Sequence, residues 1–287
     1  MLPQVESFFD AQTGTFSHVL HAGPDSPCAV IDPVLGYTPE TGAIDTVRAD
    51  EIVAFVRQQQ LKVQWVLETH VHADHLSAAA YLRGQLGGRV ATSAAVRTVQ
   101  NTFIERYALP TDYCSGEAQF DHLFAAEEHF HIGALQAQAW HVPGHTPADT
   151  AYVIEGGVVF VGDTLFLPDV GTARCDFPGG SAVQLYRSIR RLLSLPGATQ
   201  LFMCHDYPPD GRAPCPDCTV AQQLADNERV RPSVSEKAFV AWRMQRDATL
   251  GAPRLLKPSL LVNLRAGVVP GTEIAGMRFS LPTTSGW

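Results

Sequence analysis

The run Thr69-His70-Val71-His72-Ala73-Asp74-His75 places three imidazoles and one carboxylate within seven residues, directly after the apolar stretch Val63-Gln64-Trp65-Val66-Leu67. Neutral imidazole and carboxylate are the common protein ligands of zinc and iron. Packing alone does not explain four such groups at a strand end, because every buried polar group needs a partner. The chain must therefore fold so that a strand delivers this run to an edge where a metal can sit.

Three later segments repeat the arrangement. Pro143-Gly144-His145-Thr146, Val161-Gly162-Asp163-Thr164 and Cys204-His205-Asp206-Tyr207 each follow an apolar run, which sets a polar residue at a strand-to-loop edge. Loops over a rigid sheet are where active sites usually lie. A single His or Asp in such a place is ordinarily structural; four segments in series point to a site.

Short apolar runs predict strands over residues 15–20, 28–32, 63–67, 135–142, 150–154, 158–161 and 200–203, with Gly156-Gly157 as a tight turn. Helical periodicity predicts helices over 50–60, 76–86, 181–195 and 234–247, the second stopped by Gly87-Gly88 and the third by Pro196-Gly197. Strand runs followed by βα units, twice over, imply sheets sandwiched between helices. Residues 1–210 are expected to form the catalytic core and 211–287 an extension packed on it, within a single domain.

With 287 residues, 45% hydrophobic and 17% charged, the chain has an ordinary globular composition and length enough for a well-buried core. Its net charge of −8 argues against nucleic acid or an anionic membrane as the main partner. The N-terminus has no basic region ahead of an apolar run, so no secretory signal is expected, and no apolar run reaches the ~18 residues of a membrane span. Six cysteines in a chain this long do not make a disulfide framework. The expected location is the cytoplasm.

The seven positions His70, His72, Asp74, His75, His145, Asp163 and His205 resemble the metallo-β-lactamase superfamily motif, T-H-x-H-x-D-H followed by separated His, Asp and His. That resemblance covers roughly residues 10 to 210. It implies a four-layer αβ/βα sandwich of two mixed sheets flanked by helices, with metals at their shared edge. The flanks are similar to the persulfide dioxygenase family: Gly171 to Gly180 leading into Tyr186-Arg187-Ser188, His205-Asp206-Tyr207, Thr219-Val220 with Asn227 and Arg229, and Val262-Asn263-Leu264-Arg265-Ala266-Gly267. The family resemblance implies one non-haem Fe(II) per chain on His70, His145 and Asp163, with His72, Asp74, His75 and His205 retained around it. It further implies glutathione persulfide and O2 as substrates, and sulfite and glutathione as products.

Two His and one carboxylate on one face of Fe(II) leave positions for the persulfide sulfur and for O2. The retained residues are also what a dizinc hydroxyacylglutathione hydrolase would need. Ligand count does not separate one iron from two zincs; the flanks favour iron. For the two carboxylates of a glutathione persulfide, Arg174, Arg229 and Arg265 are candidate contacts, because guanidinium forks fit carboxylates. Tyr207 matches a family position near the substrate. For Arg174 the competing expectation is internal pairing with Asp176. By analogy, the assembly is expected to be a homodimer.

Cys215-Pro216-Asp217-Cys218 has C-x-x-C spacing but no second pair to complete a zinc site, so it is expected to lie in a solvent loop. Cys175 is expected to border the metal site. His18, His21, His122, His129 and His131 lack ligand-type neighbours and are expected to be ordinary, and His141 should face away from the metal.

Overall fold

The computed structural model describes residues 2–116, 119–271, 273–274 and 277–280. The N-terminal half runs β1 (Gln4–Asp10), β2 (Thr15–His21), β3 (Pro27–Ile31), β4 (Val34–Thr38), β5 (Ala43–Asp45), α1 (Val47–Gln58), β6 (Lys62–Leu67), β7 (Leu76–Ser77), α2 (Ala79–Leu86), β8 (Arg89–Ser93), α3 (Val96–Arg106) and β9 (His122–Phe124). Six of these strands form one sheet in the order β1-β2-β3-β6-β8-β9. Its first three strands are antiparallel; β3, β6, β8 and β9 are parallel. Each parallel step is bridged by a helix, as parallel pairing requires a crossover.

The second half supplies β10 (Glu128–Ile132), β11 (Leu135–His141), β12 (Thr150–Ile154), β13 (Val158–Phe160), α4 (Ala182–Leu192), β14 (Gln200–Phe202), β15 (Asp217–Thr219), α5 (Val220–Asp226), α6 (Glu236–Asp247) and α7 (Leu256–Asn263). Strands β10 to β15 form a second six-stranded sheet in sequence order, with β13 and β14 its parallel pair across α4. Caps define the helix starts: the Ser181 side chain accepts from Gln184 N ahead of α4, and Thr219 and Gln222 form a capping box at α5.

Side-chain alternation divides the strands between cores. In β3, Cys28 and Val30 join α1 and α2 in an outer core, while Ala29 and Ile31 face the second sheet. In β6, Val66 goes outward and Trp65 and Leu67 inward. From the other side, Val158 and Phe160 of β13 face inward, and Val159 packs with Leu185 and Ile189 of α4. This period of two places apolar residues on both faces, which makes the central strands unbroken apolar runs. The result is helix, sheet, sheet, helix: the expected four-layer αβ/βα sandwich.

Two expectations change. The helix expected from residue 76 starts at Ala79, because Leu76 and Ser77 pair with Leu35 and Val34 of β4. The Cys215/Cys218 segment is not a solvent loop: Cys218 lies opposite Leu201 in β15, the edge of the second sheet. Residue 210 therefore marks no break in packing, since a strand after it completes the sheet and α7 packs against β7. Among the described residues, no helix is long and apolar enough to cross a membrane.

Candidate metal centre

Strand ends from both sheets meet at one edge. Phe16 N donates to Cys204 O at 2.7 Å, Asp206 N to Gly14 O at 2.9 Å, and Thr150 N to Thr69 O at 2.9 Å. The first two bonds tie β2 and the β1–β2 turn to the loop after β14, which carries His205, and the third ties the loop after β6, which carries His70, to the start of β12. Tight backbone contacts require glycine there. A Cβ on Gly144 (φ +154°) would sit 2.3 Å from Leu185 Cα, so only glycine lets α4 support His145 this closely.

Hydrogen bonds set which nitrogen of each imidazole is free. Asp32 accepts from Thr69 N at 2.7 Å and from Thr69 Oγ1 at 2.9 Å. With its proton committed to Asp32, Thr69 Oγ1 accepts from His70 Nδ1 at 3.0 Å, leaving Nε2 with the lone pair. His72 Nε2 lies 3.0 Å from Asp32 Oδ1 and 3.1 Å from Glu68 Oε2, so it donates and leaves Nδ1 free. His145 Nδ1 donates to Arg174 O at 2.7 Å, freeing Nε2. Thr15 Oγ1 lies 3.2 Å from His205 Nδ1 and 3.4 Å from His75 Nδ1.

The atoms left over converge. His70 Nε2, His72 Nδ1, His75 Nε2, His205 Nε2 and Asp163 Oδ1 are buried without a hydrogen-bond partner. Orphaned buried polar atoms are costly unless something binds them. Two groups whose ligand atoms lie within 4.8 Å of one another are His70, His145 and Asp163, and His72, Asp74, His75 and His205; Cys204 lies equally close to Asp32 and His72 and to Asp163 and His205. Asp163 lies 3.6 Å from both His145 Nε2 and His205 Nε2 and joins the groups. These residues fit a metal: their donor set is nitrogen and oxygen, and its lone pairs have no other use.

The electrostatics agree with ligand roles. Burial, with His72 and His145 nearby, holds His70 well below the usual imidazole range. Burial and His72 bring His75 down to about 4. Both are thus neutral, lone-pair-bearing imidazoles. Burial also opposes the charged form of His72, yet Asp32 and Glu68 outweigh it and push this imidazole up. Burial raises the Glu68 carboxyl, which also accepts from the Ser77 hydroxyl. Carboxylates that accept from the far nitrogen of a ligand imidazole orient the ring and raise its basicity.

A cavity of about 550 Å³ opens onto the centre, and Asp74, His145 and Asp163 face it. Tyr207 lines it as well, stacked on His205 at 5.6 Å with its hydroxyl 3.4 Å from Asp74 Oδ2. Arg174 reaches the cavity but holds Asp176 and donates to Gly251 O at 2.7 Å, which is the internal pairing. Arg229 and Arg265 do not line it, and this corrects their placement as substrate contacts. Arg229 lies over the Trp242 ring at 4.7 Å and opens on an adjoining cleft that shares Val170, Trp242 and Arg246 with the cavity. Arg265 donates to Tyr113 O at 2.6 Å and Val268 O at 3.2 Å, so backbone carbonyls consume its fork.

Other residues were not singled out from sequence. Asp32, at φ +49°, is a non-glycine residue in the left-handed region beneath the motif. A carboxylate ending an apolar strand was its visible signal. Glu68 carried none, and Asn263 stood in a family-like segment without an assigned role, because the role of each depends on what folds against it. Cys175 is buried beside Asp247, and burial pushes its thiol up, so it is no reactive nucleophile. Burial likewise pushes Cys218 up to about 12. His141 Nε2 donates to Pro147 O at 2.9 Å and stays out of both ligand groups.

Residues 13–205 match the family model of the metallo-beta-lactamase superfamily. The chain is 48% identical to a "Probable metallo-hydrolase" of Burkholderia pseudomallei, over 96% of this chain and 97% of that one. It is 43% identical to Glyoxylase B2 of Dictyostelium discoideum, over 96% and 95%. Human mitochondrial persulfide dioxygenase ETHE1 is 26% identical over 92% and 89%. Among solved structures, ETHE1 from Myxococcus xanthus superposes with a TM-score of 0.73 at 26% identity, over 92% of this chain and all of that one. With the fold, the ligand geometry and these likenesses together, the chain belongs to the metallo-β-lactamase superfamily.

Proposed function

We propose that the protein is a persulfide dioxygenase that oxidises glutathione persulfide at one Fe(II) held by His70, His145 and Asp163. The group of two imidazoles and one carboxylate, two of the three facing the 550 Å³ cavity, serves either metal, so the reading is carried by the flanking segments that resemble persulfide dioxygenases. Likeness to ETHE1 over most of the chain supports it. The balanced reaction takes persulfide, O2 and water to thiol, sulfite and two protons. The terminal sulfur loses four electrons and O2 accepts them.

Bound iron supplies open coordination positions and an electron source for O2. The protein's own residues do the rest. Thr69 and the Arg174 carbonyl fix the tautomers of His70 and His145, so that both present Nε2. The apolar side chains of Phe166 and Val170 exclude water from the wall beside them. Tyr207 stands over His205 with its hydroxyl turned towards the acidic side of the centre, where it donates a hydrogen bond to Asp74.

A dizinc thioesterase is the second reading, favoured by the complete second group of His72, Asp74, His75 and His205 and by the likeness to Glyoxylase B2. Metal analysis with oxygen electrode and thioester assays separates the two. The proposal expects one iron per chain and O2 uptake matched by sulfite. Two zincs per chain with rapid thioester cleavage and no O2 uptake would overturn it.

A further inference from the structure

Four arginines line the cavity above the metal centre, and they are not equivalent. Arg174 is neutralised by Asp176 and Arg243 by Asp247. Arg246, in the last turn of α6, and Arg254, in the loop before α7, have no carboxylate within ion-pair distance among the described residues. The Arg246 guanidinium reaches only the Thr249 hydroxyl, at 3.3 Å. Both residues are exposed, whereas His145 and Asp163 at the other end are buried. The cavity thus has a metal-binding floor, a cationic rim, and Phe166 and Trp242 on its wall.

We propose that Arg246 and Arg254 anchor the far end of the substrate, and that the site takes a short, flexible sulfur compound carrying two carboxylates. The inference rests on the thiol chemistry proposed above and assigns its recognition to residues other than Arg229 and Arg265. A guanidinium is charged at every working pH, so two on one cavity give it a positive field that favours an anion. Their planar forks suit carboxylates, and the exposed position keeps desolvation small. In a chain of net charge −8, such a patch also concentrates anionic ligands locally. The apolar wall between rim and floor matches the uncharged middle of such a molecule.

Calorimetric titration of the metal-loaded protein with S-methylglutathione and with its dimethyl ester tests this, since neither ligand reacts. The wild type is expected to bind the diacid roughly tenfold or more tightly than the ester, with the difference shrinking at high salt. The variant Arg246→Gln/Arg254→Gln should lose most of that advantage while keeping its metal content and its affinity for the ester. In turnover, KM for glutathione persulfide should rise by a similar factor with kcat little changed. Equal binding of acid and ester by the wild type, no binding of S-methylglutathione, or an unchanged double variant would each overturn the anchor. If the diacid preference holds but no O2 is consumed, the anchor stands and the dioxygenase reading fails. If O2 is consumed with KM unmoved by the double substitution, the reverse is true.

Discussion

Asn263 offers a direct test of whether the C-terminal helix holds the metal loop. It is 4% exposed and ends α7. Its Nδ2 donates to His72 O at 2.9 Å and to His75 O at 2.8 Å, and its Oδ1 accepts from Ser77 N at 2.8 Å. Three backbone groups of the metal-binding loop thus depend on one side chain. Asn263→Ala strands all three, and a buried group without a partner costs about 1–3 kcal/mol. Water entering the space left behind recovers part of this, so the expected loss is about 3–6 kcal/mol. For a chain of this size that lowers Tm by about 6–12 °C. Thermal unfolding of the metal-free protein measures it, and chelator competition should show weaker metal binding as well. Asn263→Asp keeps the acceptor for Ser77 but sets a carboxylate against two carbonyls, so it should be no better than alanine. An alanine variant within about 2 °C of wild type, or an aspartate variant equal to it, would refute the clamp.

Three further expectations follow from buried groups. Burial brings His18 from 6.5 down to about 4, while its ring contacts Met203 O at 2.9 Å and Ser7 Oγ at 2.8 Å. Because its folded pKa is the lower one, the unfolded chain binds the extra proton first. Stability is therefore present above pH 6.5 and falls towards pH 4, by roughly 3 kcal/mol in total. Urea unfolding between these limits should show a shallower slope in His18→Gln than in the wild type. Gly144→Ala drives a Cβ into the Leu185 backbone, so it should displace α4 or His145 and sharply reduce metal content, read by metal analysis of the purified variant. Asp32→Asn removes the negative charge beside His72 Nε2 and leaves a single carboxamide oxygen for the bonds from Thr69 and His72, so it should weaken metal affinity roughly 10- to 100-fold in a competition titration.

The central strands and the sandwich class were legible because they follow from local pattern, while β8 and the edge strands β1, β9, β10 and β15 were not. Short unbroken apolar runs mark the central strands, and ligand-type residues follow those runs directly. What escaped depends on distant pairing. Leu76 and Ser77 carry a helical pattern, yet β4 offers them a ladder, and the pairing outweighs propensity. Arg229, Arg265, Arg246 and Arg254 look alike as sequence. Only the fold shows that Trp242 and backbone carbonyls engage the first two and leave the other two facing the cavity.

The residues after 210 show why ligand motifs alone under-describe this site. Strand β15 completes the second sheet, Asn263 holds the carbonyls of His72 and His75, and the Arg243–Asp247 pair on α6 is tied to the loop that supports His145. That last link is explicit: Asp247 accepts from Cys175 N at 2.8 Å, next to the Arg174 carbonyl that accepts from His145 Nδ1. Of the four arginines on the cavity, three come from this segment. The His and Asp cluster therefore supplies a metal-type donor set, while the C-terminal segment holds its loop and, under the proposal above, selects the anions that approach. Two chains with the same seven ligand positions but different C-terminal segments need not share a substrate.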